Sequence, residues 1–362
     1  MLKVGIILGG KSVEHEVSLR SAQNILEAID KSKYEPVVIY IDKSGKWLLD
    51  KLPGHVIKSL QENREDEIST EIAVIGKLNT NRLIDIEKGK DLGSIDVVFP
   101  VIHGTNGEDG SIQGLFQLAN LPYVGADILG SAIGMDKDVT KRLLRGANIP
   151  VADFIVMHAA EAENADLDIL KTKLGFPFFV KPSNLGSSVG VSKVSTDDQF
   201  RPALLEAFKF SNKVLIEKNI VGRELECSVI GNWGSYKASL PGEVIIENDD
   251  FYSYQAKYID ESGATICIPA KLPNEIIDRI RELSVKVCET LCCEGMARVD
   301  FFLSENNELI VNEINTIPGF TNISMYSKLW EISGIPYAKV IDELIQLALD
   351  RHEKNNLSFS KY

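Results

Sequence analysis

The first forty residues restrict the fold more than any other stretch. Residues 3–8 read as a buried strand with an apolar run over 4–8, followed by Gly9-Gly10 and a polar loop through Glu16. An amphipathic helix is expected over 18–29 and a second buried strand over 36–41. A β–loop–α–β unit of this kind commits the chain to a parallel α/β sheet, with ligands received at the carboxyl ends of its strands. A further strand over 97–102 ends in His103-Gly104-Thr105-Asn106-Gly107-Glu108-Asp109-Gly110, so two polar loops share that sheet edge. The charged stretch 42–93 is read as an elaboration of this first domain.

Beyond a helix expected over 136–145, the pattern changes to short strands (176–180, 191–194, 214–217, 226–230) with glycine loops. That is α+β, with antiparallel sheets. At 362 residues, two or three domains are expected. The tail after Arg351 is expected to fray. No apolar run approaches the roughly 20 residues that cross a bilayer, and the start of the chain reads as a strand with no signal peptide. A net charge of −13 disfavours a polyphosphate partner. The five cysteines are read as reduced packing thiols. Cys288 and Cys292, four apart, share a helical face but lack further ligands for a metal.

Two loops could hold phosphate. Gly5 to Ser12 formally satisfies G-x-x-x-x-G-K-[ST], but Ile6, Ile7 and Leu8 belong to the strand, which leaves no loop to wrap an anion. Lys11 is then a solvated loop residue. Lys181-Pro-Ser-Asn-Leu-Gly186-Ser187-Ser188-Val-Gly190 is the better candidate. Its glycines let backbone N–H groups converge, its serines add donors and Lys181 adds charge. An ordinary glycine-rich hairpin is the alternative.

Residues 297–316 carry a pair of carboxylates. Two apolar runs flank 304–308, and a two-residue turn at Asn306-Asn307 would set Asp300 opposite Glu313 and Arg298 opposite Asn315. All four then share one face. An oxygen-only set of this kind suits Mg²⁺. A longer turn would shift the register, and a solvated Asp300–Arg298 pair is the plainer alternative.

Several motifs follow one another along the chain: Gly9-Gly10…Glu14-x-Glu16-Val-Ser18, His103-Gly104…Glu108-Asp109-Gly110, Met135-Asp136-Lys137, and the Lys181–Gly190 loop. Glu217-Lys218…Gly222-Arg223-Glu224, Ala256-Lys257-Tyr258, Arg298-Val-Asp300 and Asn312-Glu313-Ile-Asn315-Thr-x-Pro318-Gly319 complete the series. In this order they resemble the D-alanine–D-alanine ligase family. The resemblance implies an N-terminal doubly wound parallel α/β domain (1–126) before a two-lobed ATP-grasp fold. Its central lobe would span 127–221 and its C-terminal lobe 222–362, with an Ω-loop lid at about 248–265. It implies ATP-dependent joining of two D-alanines through an acyl phosphate, in a cytoplasmic homodimer feeding peptidoglycan synthesis.

The resemblance also implies roles. Asp300, Glu313 and Asn315 would hold two Mg²⁺ ions, with Mn²⁺ able to substitute. Lys137, Lys181, Lys257, Ser188 and Asn312 would contact the nucleotide, with Glu217, Lys218 and Ile220 at the adenine. Glu224 would take the ribose and Phe251 would pack on the base. Glu14 and His103 would serve the first D-alanine, and Ser324 and Met325 the second. Arg298 and the Gly319 N–H would stabilise an oxyanion. Glu14, Ser187 and Tyr258 would close the lid, and Tyr258 would favour D-alanine over D-lactate as acceptor. Tyr252 and Tyr254 are expected in lid packing, Trp233 and Trp330 in the core, and His15, His55, His158 and His352 at the surface. Another ATP-grasp ligase and a P-loop switch protein are the competing readings.

Overall fold

The computed structural model describes residues 1–50, 57, 70–76, 82–246 and 264–359. The parallel unit forms as the apolar runs require. Strands β1 (Leu2–Gly9), β2 (Tyr34–Ile41) and β7 (Val97–Pro100) pair in parallel around a central β1. The intervening stretch widens the sheet: β3 (Trp47–Leu49), β4 (Thr70–Ile75), β5 (Arg82–Asp85) and β6 (Asp91–Ser94) add an antiparallel meander. The result is a mixed seven-stranded sheet in the order β6-β5-β4-β3-β2-β1-β7.

The second sheet is antiparallel, β10-β9-β11-β8, built from β8 (Phe154–His158), β9 (Phe178–Pro182), β10 (Ser192–Val194) and β11 (Lys213–Lys218). Helices Leu167–Leu174 and Asp197–Phe208 cover one face, burying Leu170, Phe200 and Leu204 against Phe178, Val180 and Ile216. The other face is left to the cleft.

The third sheet is built from β12 (Gly222–Gly231), β13 (Lys237–Ala238), β14 (Gly242–Ile246), β15 (Ala264–Cys267), β16 (Gly295–Ser304) and β17 (Leu309–Asn315). It runs β15-β14-β12-β16-β17, with β13 beside β12. Helix Asn274–Thr290 packs Ile280, Val287 and Cys288 beneath Val299 and Phe301. Each fully buried side chain of this kind contributes about 1.5–3 kcal/mol.

The C-terminal helix Tyr337–Phe359 runs past the expected fraying point. Val340, Ile341, Leu344 and Ile345 seal one face of the first sheet against Val4, Ile6 and Leu8. Arg351 is buried and donates to the carbonyls of Tyr123 (2.8 Å) and Gly125 (2.6 Å), so the tail is pinned there. No helix of the described residues is long and apolar enough to cross a membrane.

Three smaller expectations fail. His15 is buried, with Nδ1 2.7 Å from the Gly10 carbonyl and Nε2 3.3 Å from the Tyr40 hydroxyl of a neighbouring strand. Trp233 is 65% exposed, whereas Trp330 is core. The helix carrying Cys288 stops at Thr290, and Cys292 adopts φ 55°, so those thiols share no helical face.

Candidate active site

A cleft of about 510 Å³ opens between the second and third sheets. The end of β11 and the loop after it contribute Glu217, Lys218, Asn219 and Ile220 to its lining, with Glu224 from β12. Phe179, Val244, Ile245 and Phe302 give it apolar surface suited to a flat heterocycle. Lys137, Ser188, Asp300, Asn312 and Glu313 also line it.

The hairpin β16–β17 delivers the expected pairs by an unexpected route. Asp300 faces Glu313 and Arg298 faces Asn315. The turn is longer than two residues, however, with Asn307 at φ 59°, and the outer half pairs as Leu303↔Leu309 and Phe301↔Val311. A β-bulge between Asp300 and Phe301 absorbs the extra residue, which is Asn312. It restores the register at the site and turns two consecutive side chains, Asn312 and Glu313, toward the cleft.

Arg298 is gripped by acids. It forms a fork on Asp300 (2.7 and 2.8 Å) and lies 2.9 Å from Glu226, which faces Asp300 across β12. Burial works against its charge, but Asp300 and Glu226 outweigh that and hold the guanidinium well above its ordinary value. Asn315 Nδ2 donates to Asp300 at 2.9 Å. Among the described residues no three His, Cys, Asp or Glu side chains form a metal cluster. Two facing carboxylates plus the Asn315 amide nevertheless form an oxygen-donor set that fits a hard divalent ion completed by water and phosphate oxygens.

Lysines line the opposite wall. Lys137 donates to the Leu185 carbonyl (2.7 Å) and lies 3.3 Å from Glu313, so it bridges the glycine–serine loop to the acidic face. Lys181 and the fully buried Lys141 flank Glu217, each at 3.3 Å. Desolvation would raise the Glu217 carboxyl, yet the two ammoniums hold it below its usual range, while burial lowers Lys141. In the loop, Ser187 and Ser188 both sit at positive φ (54° and 57°), and the pair lies in the turn between β9 and β10. Such backbone costs on the order of 1 kcal/mol per residue and concentrates at ligand clamps.

Ser187 donates to Glu14, joining this loop to the first domain. Glu14 sits over the 103–108 turn, where a Cβ on Gly104 (φ 74°) would come within 2.7 Å of its carboxylate. His103 is buried, which lowers its pKa. Its Nδ1 lies 2.9 Å from the Ile317 carbonyl and its Nε2 3.1 Å from Ser21 Oγ. Ser324 Oγ accepts the Thr321 N–H (3.0 Å) at the start of helix Met325–Ile332. The Met325 side chain is packed with Val244 and Leu329 under β14.

The formal P-loop is excluded, since Ile6, Ile7 and Leu8 are fully buried within β1. Phe251, Tyr252, Tyr254, Lys257, Tyr258 and His55 lie outside the described residues. Sequence reasoning assigns no role to Lys141, Glu226 or Glu108. Lys141 is four residues after Lys137 on one helix and Glu226 two after Glu224 on one strand, so both spacings were available signals.

Comparison with known proteins agrees over nearly the whole chain. The family profile "D-ala D-ala ligase N-terminus" matches residues 3–126, and "D-ala D-ala ligase C-terminus" matches 143–346. D-alanine–D-alanine ligase A of Escherichia coli strain K12 is 49% identical, over 98% of each chain. The solved D-alanine–D-alanine ligase of Coxiella burnetii superposes with TM-score 0.87 at 39% identity, covering 100% of this chain and 99% of its own. The VanG D-Ala:D-Ser ligase of Enterococcus faecalis follows at TM-score 0.86 and 33% identity, covering 96% and 99%.

Proposed function

Because the chain belongs to the D-alanine–D-alanine ligase family, we infer that it joins two D-alanines to D-alanyl-D-alanine for bacterial peptidoglycan synthesis, converting ATP to ADP and phosphate. The observation that carries this reading is the cleft with lysines on one wall and the Asp300–Glu313 pair on the other.

The residues divide the work. Lys137, Lys181, Lys257 and Ser188 hold phosphate oxygens. Glu217, Lys218 and Ile220 address the adenine, Phe251 packs on it, Asn312 supports the nucleotide and Glu224 takes the ribose hydroxyls. Asp300, Glu313 and Asn315 would hold Mg²⁺ (or Mn²⁺), which when bound would neutralise phosphate charge. Glu14 pairs with the ammonium of the first D-alanine beside His103. The carboxylate oxygen of that D-alanine bonds to the γ-phosphorus of ATP as the bond from the γ-phosphorus to the bridging oxygen breaks, and ADP leaves. The amine of the second D-alanine, seated at Ser324 and Met325, then forms the C–N bond. The C–O bond to phosphate breaks, and the amine proton leaves with solvent. Arg298 and the Gly319 N–H stabilise the oxyanion between those events. Glu14, Ser187 and Tyr258 close the lid and exclude water from the activated carbonyl. Tyr258 disfavours a hydroxy-acid acceptor.

The protein acts in the cytoplasm as a homodimer, with no nucleic-acid or membrane partner. The test is phosphate release from ATP and Mg²⁺ with D-alanine and L-alanine in parallel, with product masses recorded and D-serine and D-lactate as second-site competitors. D-alanine alone should support release, with the dipeptide as product. Release indifferent to D-alanine would overturn the reading.

A further inference from the structure

Glu108 does more than close its own turn. One carboxylate oxygen accepts the Gly104 N–H at 2.7 Å, within the loop that follows β7. The other accepts the Ile317 N–H, also at 2.7 Å, from the segment that leaves β17 toward Pro318-Gly319. His103, from the same loop as Glu108, holds the carbonyl of that same Ile317 residue at 2.9 Å. A third tie comes from Ser21 on the first helix (His15–Ala28), whose hydroxyl accepts the Phe320 N–H at 3.2 Å and meets His103 at 3.1 Å. Gly319 is therefore flanked on both sides by backbone groups fastened to the first domain.

The platform that does the fastening is stiff. Gly107 and Glu108 both donate their N–H to the Gly104 carbonyl, and a Cβ on Gly107 would fall 1.9 Å from the Ile102 carbonyl oxygen. Gln113 caps the Gly107 carbonyl at 2.7 Å. Glu14 lies against the same turn at Gly104. One rigid loop thus touches the subsite of the first substrate and the backbone of the oxyanion donor. A buried carboxylate at this point is costly: desolvation and the neighbouring Glu14 push its pKa up to about 8, against the opposing pull of the Gly104 and Ile317 N–H groups and of Arg298.

We propose that Glu108 is a positioning residue for the second chemical step: by clamping the Ile317 peptide it aims the Gly319 N–H at the carbonyl oxygen of the activated first substrate. The inference rests on the reading of Gly319 as oxyanion donor. A misaimed donor slows amine attack on the acyl phosphate more than it slows phosphoryl transfer, which takes place among the lysines and the acidic face. Acyl phosphate that waits is attacked by water instead, whose oxygen displaces phosphate and regenerates D-alanine. The signature is phosphate released without dipeptide.

Glu108→Gln keeps shape but sets an amide NH₂ against one of the two N–H donors. Dipeptide formation should fall about tenfold or more, the scale of a small misplacement at a reacting centre. KM for ATP should stay within about twofold of wild type, and phosphate released per dipeptide should rise clearly above one. Ser21→Ala, which cuts the Phe320 tie and the Ser21–His103 contact but leaves both bonds of Glu108, should raise that ratio less. A variant that merely folds poorly lowers both products together and leaves the ratio at one. Should Glu108→Gln yield no folded protein, Ser21→Ala decides alone. A ratio of one in the folded variants, or a rise in KM for ATP matching the loss of kcat, overturns the proposal. Wild-type enzyme that makes no dipeptide from D-alanine would instead overturn the family reading, so the two failures are distinguishable.

Discussion

The two walls of the cleft are built from sheets of similar kind and carry opposite charge. The wall from the four-stranded sheet presents Lys181 and Lys193, with Lys137 reaching in from the start of helix Lys137–Gly146. The wall from the six-stranded sheet presents Glu224, Glu226, Glu243, Asp300 and Glu313. Both are antiparallel, and along β16 buried and cleft-facing residues alternate. The difference lies in what each does with its charge. The acidic wall gathers carboxylates that repel one another unless a cation lies among them, and Arg298 already serves Asp300 and Glu226. The cationic wall balances itself from beneath, through the buried Glu217 between two lysines. A phosphate chain and its metal need both surfaces, one for the anion and one for the cation, and neither wall alone recognises the pair.

The largest effect should come from the acidic wall. Glu313→Gln keeps size and loses the charge that faces Asp300, so turnover should fall by about 10²–10³-fold, on the scale of losing one preorganised charge-stabilising group. Mn²⁺ binding followed by paramagnetic resonance should weaken in the same variant, and wild-type binding would break the assignment of that wall to the metal. The next effect tests the cationic wall from below. Lys141→Met leaves Glu217 buried with one partner fewer and should cost about 3 kcal/mol of stability in urea unfolding. Adding Glu217→Gln should recover part of it. The pH dependence has a definite sign. Desolvation raises Glu217, but Lys141 and Lys181 prevail and depress it below 4.5. Its stabilisation is therefore complete above that value and is lost as pH falls below it. Wild type should lose stability in acid more steeply than Lys141→Met/Glu217→Gln, and parallel curves would show that the pair contributes nothing.

How much of this was legible from residues alone depends on the range of the cause. The β–loop–α–β start, the strand alternation of β16 and the facing of Asp300 by Glu313 follow from local periodicity. The glycine–serine loop was legible as a turn between two strands, and it joins β9 to β10. His15 was not, because its burial comes from Tyr40, one strand away in space and 25 residues away in the chain. Glu108 was visible within a motif, but its partner Ile317 is 209 residues further on. The stretch 42–93 hid four short strands because a meander at a sheet edge needs few apolar residues. The register of the hairpin was predicted for a simpler reason than the true one: a longer turn and a bulge displace it in opposite directions and cancel at the site.

That cancellation leads to the smallest and most discriminating prediction. The bulge could serve to bring Glu313 into line with Asp300, or to add Asn312 to the cleft, and the structure does both at once. Asn312 is not among the positive-φ residues, so alanine can occupy its backbone without strain. Asn312→Ala should therefore keep the bulge, keep Glu313 in place and remove only a polar contact to the nucleotide. The loss of one such contact is worth about 0.5–1.5 kcal/mol, which corresponds to a rise of a few-fold up to about tenfold in KM for ATP. The value of kcat should stay within about twofold, and stability within about 0.5 kcal/mol. A collapse in kcat comparable to that of Glu313→Gln would place Asn312 with the metal set. The acidic wall would then begin one residue earlier on β17, and the bulge would exist to widen it.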